Sequence, residues 1–232
     1  MIVLKIKSYL LLFTLCVVQQ VYSQNIIPTV PLPVYAVPAA NDTAKPMIMY
    51  ISGDGGWNKF SKSLCANFAA RGYPVAALDA KEYFWKKKSA AQLALDITRL
   101  IGTYERTFNR KKIVLMGYSF GADVLPFVYN LLPANLKAQV LNLSMVSPTG
   151  YTDFEIHISG MLGINFTGGE HVANEINKIT LKPITLIFGM DENEFPLNQL
   201  KIKNYKAIRL QGGHHYTGDE VKLYNTIAKN IE

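Results

Sequence analysis

Cysteine is nearly absent from this chain of 232 residues, which contains Cys16 and Cys65 and no other. Cys16 falls in a stretch built like a removable leader. Lys5 and Lys7 precede the apolar run Tyr9 to Val18, and Val21-Tyr22-Ser23 offers the small residues that a signal peptidase reads. Cleavage after Ser23 is expected, and with it export to the periplasm; an uncleaved N-terminal anchor is the alternative, although the run is too short to span a bilayer comfortably. The domain is then residues 24–232, about 209 of the 232, enough for one hydrophobic core. With Cys65 as its sole thiol it forms no internal disulfide, so stability has to come from packing.

Other absences exclude whole classes of function. There is no phosphate-binding loop, no dinucleotide fingerprint, no internal repeat and no low-complexity tract. His157 and His171 show no metal-ligand spacing and read as structural or surface residues, so neither a metal nor a cofactor is expected. Formal net charge is +7, falling to +5 without Lys5 and Lys7, yet no helix carries a basic stripe and no nucleic-acid-binding motif accompanies it. Nucleic acid is therefore not an expected partner. Lys86-Lys87-Lys88 is a basic cluster, read as a solvated loop or as a transient contact with anionic lipid headgroups.

What the chain does have is apolar residues, 49% of the total, in short buried-looking runs separated by helical patterns. Residues 26–38 are proline-punctuated and suit an edge strand or strap. Met47 to Ile51, Pro74 to Leu78, Lys112 to Met116, Gln139 to Val146, Pro183 to Phe188 and Tyr205 to Leu210 read as strands. Helices are expected over Asn58 to Ala70, from an N-cap at Ser89 onward, over Ala122 to Leu132 and over Thr217 to Ile231. Residues 79–88 are expected as loop, and Tyr151 to Asn177 as an irregular insertion near the site. Strands alternating with helices predict one α/β domain, a mostly parallel sheet with helices on both faces.

Gly117-Tyr118-Ser119-Phe120-Gly121 stands between one of those strands and its helix. In that setting Gly-x-Ser-x-Gly reads as a nucleophile elbow, a strained turn that lifts a serine hydroxyl clear of the sheet beside a helix N-terminus. A serine needs a base, and the histidines after the last strand are His214 and His215, within Gly212-Gly213-His214-His215. His214, directly behind the glycines, is the favoured base and His215 the alternative. The acid is expected in the loop Gly189 to Pro196, where Glu192 is favoured, Asp191 is the alternate and Glu194 also competes. Oxyanion donors are expected from the N–H of Phe120 and from the turn Ser52 to Trp57, with Asp54 first and Gly55 second. Trp57 and Asp123 are candidate substrate contacts, though at Asp123 the helix dipole alone accounts for a carboxylate. Asp79, ending a strand, is placed near the site.

Together, Ser52-Gly53-Asp54-Gly55-Gly56-Trp57, Tyr83-Phe84-Trp85, the run Gly117 to Pro126, Phe154-Glu155-Ile156-His157 and Gly212-Gly213-His214-His215 resemble the motifs of the bacterial VirJ/AcvB virulence proteins. The resemblance implies a periplasmic protein of the α/β-hydrolase fold. It implies hydrolysis of aminoacylated phosphatidylglycerol, chiefly the lysyl form, for AcvB-like members, and a role in type IV secretion for VirJ. Ser119 matches the family's nucleophile, His214 its histidine motif and Asp191-Glu192 its acidic loop. Two functions follow as expectations: a serine esterase taking a lipid or small ester, or a non-catalytic binding protein that serves a secretion-system partner.

Overall fold

The computed structural model describes residues 31–39, 44–157 and 168–231. The expected leader, and residues 158–167 of the expected insertion, lie outside them. Strands β1 (Val34–Val37), β2 (Met47–Ile51), β3 (Val75–Leu78), β4 (Ile113–Tyr118), β5 (Val140–Val146), β8 (Ile184–Gly189) and β9 (Tyr205–Leu210) form one sheet in the order β1-β3-β2-β4-β5-β8-β9. Every neighbouring pair is parallel except β1, which runs antiparallel along β3 at the edge. That edge position suits its proline-rich flanks.

The inner strands are apolar on both faces because helices cover both. Along β2, Met47, Met49 and Ile51 pack with α3 (Ala90–Phe108) and α4 (Phe120–Leu131), while Ile48 and Tyr50 pack with α1 (Lys59–Ala69) and the C-terminal helix Glu220–Ile231. Each fully buried side chain of this size contributes about 1.5–3 kcal/mol of transfer free energy. Ser89 caps α3 through the Gln92 N–H, as the sequence leads one to expect, and Asn58 caps α1 through the Ser61 N–H.

Three segments differ from expectation. Residues 80–83 form a short helix, α2 (Ala80–Tyr83), because Asp79 accepts from the Glu82 N–H and caps it. A second short helix, α5 (Ala134–Gln139), precedes β5. The described part of 151–177, expected to be irregular, holds short regular elements between coil segments. β6 (Tyr151–Thr152) pairs antiparallel with β7 (Glu170–His171), followed by α6 (Val172–Ile176), whose buried face joins the core against α4. The helix Glu220–Ile231 is α7.

Candidate active site

All the parallel strands end at one sheet edge, and β4 delivers Ser119 there. The turn after Tyr118 is sharp enough to hold Ser119 at φ 52°, ψ −121°, a left-handed conformation that costs a non-glycine residue on the order of 1–3 kcal/mol. The flanking glycines are there for space. A Cβ on Gly117 would stand 2.3 Å from the Gly121 carbonyl oxygen, and one on Gly121 would stand 2.1 Å from that of Ile51. A side chain at Gly117 would push against the first turn of α4, and one at Gly121 against the end of β2.

Ser119 Oγ lies 2.9 Å from His214 Nε2, and His214 Nδ1 lies 2.5 Å from Glu192 Oε1. Residues 119, 192 and 214 thus form one hydrogen-bonded line. Burial works to raise the Glu192 pKa, but hydrogen bonds from His214, the Gly189 N–H and Ser147 outweigh it and hold the carboxyl below its ordinary range. An ionised Glu192 only accepts, so the proton of a neutral His214 sits on Nδ1 and the Nε2 lone pair faces the serine hydroxyl. Burial works to lower the His214 pKa; the hydrogen bond and charge of Glu192, with the charges of Asp54 and Glu194, win and raise it.

Of the adjacent histidines, His214 makes the contact to serine. His215 turns to Tyr118, whose hydroxyl donates to the His214 carbonyl (3.0 Å) and receives from His215 Nδ1 (2.9 Å). The residue before the nucleophile therefore ties down the histidine loop. Asp191 is exposed, and the structure gives the acid position to Glu192. Phe120 N–H is the first of α4, at the end where a helix supplies no carbonyl a turn earlier, while the Ala122 and Asp123 N–H groups donate to the Ser119 carbonyl. The turn carrying Asp54 and Gly55 abuts the serine, for a Cβ on Gly53 would come 3.3 Å from Ser119 Cβ.

Two candidate substrate contacts are corrected. Asp123 is buried within α4 and fully engaged. It accepts from the Thr149 N–H (2.8 Å), the Thr149 hydroxyl (2.7 Å) and the Gly150 N–H (3.2 Å). Burial pushes its pKa up to about 7 while those donors pull it down. Trp57 lies against the edge strand, its ring stacked on Tyr35 at 4.9 Å, and its backbone N–H donates to Asp79 Oδ2. Asp79 is likewise spent, on that bond and on the α2 cap. Against the expectation for His157, Asp153, Glu155 and His157 do come together, with donor atoms within 4.8 Å of one another. Their closest approach is a 2.6 Å contact between His157 Nε2 and Asp153 Oδ2.

The sequence reading missed Ser147, Tyr216 and Arg209. Ser147, just past β5 at φ 51°, donates to Glu192 Oε2 (2.8 Å) and contacts the Tyr216 hydroxyl (2.6 Å), while Arg209 donates to the carbonyls of Gly189 and Glu192. A serine following a strand carries no recognisable pattern, so nothing in the sequence singles it out. Ser147→Ala is expected to lower kcat about tenfold with little change in KM, since it loosens one hydrogen bond to a carboxylate rather than a substrate contact. Steady-state kinetics on a soluble ester read that split.

No curated protein sequence matches this chain. Among solved structures, Est1E from Butyrivibrio proteoclasticus is 14% identical with a TM-score of 0.60, over 84% of this chain and 91% of that one. The proline iminopeptidase of Mycobacterium smegmatis is 10% identical with a TM-score of 0.59, over 85% and 93%. The Pyrococcus furiosus esterase Pf2001 is 16% identical with a TM-score of 0.58, over 79% of each chain. At such identities these likenesses establish the α/β-hydrolase fold. The family model described as bacterial virulence protein (VirJ) matches residues 45–232, which takes in the elbow, the acidic loop and the histidine loop, and the protein belongs to the VirJ family.

Proposed function

We propose that this protein is a serine carboxylic-ester hydrolase of the periplasm that cleaves aminoacyl esters of phosphatidylglycerol, the lysyl ester foremost. One observation carries the reading: the unbroken line from Ser119 Oγ through His214 to Glu192. His214 Nε2 takes the hydroxyl proton as Ser119 Oγ bonds to the ester carbonyl carbon. The N–H groups of Phe120 and Asp54 hold the resulting oxyanion. The carbonyl re-forms, the C–O bond to the glycerol headgroup breaks, and His214 returns the proton to the leaving alcohol. Water, deprotonated by His214, then attacks the acyl carbonyl; the bond to Ser119 Oγ breaks, His214 returns the proton to that oxygen, and the free amino acid leaves.

The choice of a cationic acyl group draws on electrostatics. On a chain of net charge +7, the carboxylates of Asp54 and Glu194 add to the larger effect of Glu192 in raising the His214 pKa, so negative charge gathers near the serine. An ammonium-bearing acyl group is favoured there and an anionic one is not. Incubation of purified protein with lysyl-phosphatidylglycerol should release lysine and phosphatidylglycerol, and cells lacking the protein should accumulate the aminoacyl lipid. An unchanged lipid, in both settings, overturns this substrate.

The pH dependence has a definite sign. His214 is a base only when neutral, and its pKa is raised, so kcat/KM should fall on the acid side with an inflection above the ordinary histidine value of about 6.5. The same pair affects stability from both sides. His214, raised, stabilises below its unfolded pKa and loses that contribution as pH climbs through its folded one. Glu192, lowered, stabilises above its unfolded pKa and loses that contribution as pH falls through its folded one. A pH–rate profile with an acid limb below 6 would contradict the assignment.

A further inference from the structure

Phe84 and Trp85 are adjacent in the chain and opposite in placement. Phe84 is buried, its ring 4.8 Å from that of Phe120 beside the nucleophile, whereas Trp85 is 54% exposed. Lys86 and Lys87 are also exposed, and neither forms an ion pair among the described residues. Lys88 is half-buried with its ammonium over the Tyr83 ring. The backbone of this segment is pinned at both ends. Ile156 N–H donates to the Phe84 carbonyl and Lys88 N–H to the Phe154 carbonyl, each at 3.0 Å. With its backbone held this way and Phe84 filling the core position, the indole is kept facing outward. The facing segment carries Asp153 and Glu155, and Glu170 and Glu175 line the same cleft as Lys87 and Lys88, Glu175 being paired with Lys178. Lys86 and Lys87 are the ammonium groups of this loop that face solvent without an ion pair among the described residues.

The position of the loop matters as much as its composition. It follows the carboxyl end of β3 through α2, the edge at which β2 and β4 also end, and Lys87 and Lys88 then line a cleft with Phe127, Asn130 and Leu131 further along α4. An indole flanked by ammonium groups suits the boundary of an anionic bilayer, where the ring sits at headgroup depth and the lysines meet lipid phosphates. A bilayer asks for no shape complementarity, whereas a protein partner would need a contiguous apolar centre that one indole among lysines does not provide. We propose that residues 85–88 are a docking element that seats this protein on an anionic phospholipid surface. The inference deepens the ester-hydrolase reading by naming where the substrate is met, but the docking itself does not depend on the chemistry at Ser119.

Co-sedimentation with vesicles tests it, using protein purified in the form that cells accumulate. Vesicles of phosphatidylcholine and phosphatidylglycerol at three to one should carry the protein down, and pure phosphatidylcholine vesicles should not. Binding should weaken as salt is raised. Exchanging Lys86 and Lys87 for Glu should lower partitioning at least twentyfold, each lysine being worth about fivefold. Trp85→Ala should lower it about tenfold, and Trp85→Phe less. The chain has two tryptophans, so the blue shift of fluorescence on binding should vanish in Trp85→Ala, which retains only Trp57. Hydrolysis of a soluble ester should be unchanged in all these variants, which shows that they fold, and Ser119→Ala should bind vesicles as the parent does. Equal binding by the parent and the loop variants, or no binding to the anionic vesicles, overturns the proposal. So does a Trp85→Ala change that only shifts a dimer to a monomer in sedimentation velocity, which would assign the patch to a second copy of the chain. If the parent docks but hydrolyses no ester, the ester-hydrolase reading fails and the docking surface stands.

Discussion

Replacing Ser119 with alanine is expected to cut ester hydrolysis by about 10⁴- to 10⁶-fold. The oxygen removed is the one that His214 Nε2 faces at 2.9 Å, and among the described residues no other hydroxyl is hydrogen-bonded to that nitrogen. The fold should survive. Alanine meets the same backbone strain at φ 52° that serine already bears, so stability should move by no more than about 1 kcal/mol. Two measurements check this: kcat/KM on a soluble ester, and labelling by a fluorophosphonate, which should modify the parent at Ser119 and leave the variant untouched. A folded parent that took no label would direct attention to the non-catalytic, secretion-accessory reading.

The second large effect is a contrast between neighbours. His214→Gln should lower kcat/KM by about 10³- to 10⁵-fold, because glutamine can still reach Glu192 but has no lone pair basic enough to accept the serine proton. His215→Gln should cost less than about tenfold, since His215 only contributes, with Tyr118, to holding the histidine loop. Combining Ser119→Ala with His214→Gln should lose little more than either alone, as members of one proton relay are not additive. Kinetics showing the two histidines equally sensitive would break the assignment.

Much of this architecture was legible because it follows from burial. Met47 to Ile51 is apolar at every position, and a strand covered on both faces leaves such a run. The elbow was legible because Gly117 and Gly121 answer a steric demand that the structure shows in full. His214 and Glu192 could be placed because chain order and strand ends limit where a base and an acid can approach the serine. What escaped were short or purely relational features. A helix of one turn, such as Ala80–Tyr83, has no period to detect, and its cause is a cap made by Asp79. β6 and β7 pair across a long separation in sequence, and two residues per strand leave no alternation to read. Asp123 and Ser147 are ordinary residues until their partners, Thr149 and Glu192, are known. Trp57 looked like part of a substrate surface because the turn before it is rich in glycine, yet its ring is taken by Tyr35 from the edge strand.

Residues 147–150 join the two halves of the site. Ser147 grips Glu192, and Thr149 and Gly150 grip Asp123 on the helix that begins at the nucleophile. An engineer who transplanted only the hydroxyl, imidazole and carboxylate to a foreign scaffold would leave behind the masonry that sets their spacing. The smallest portable unit is the trio together with this span and its buried aspartate. By the same logic, laboratory evolution aimed at faster turnover should yield substitutions in 147–150, although the span acts on the trio only through its supports.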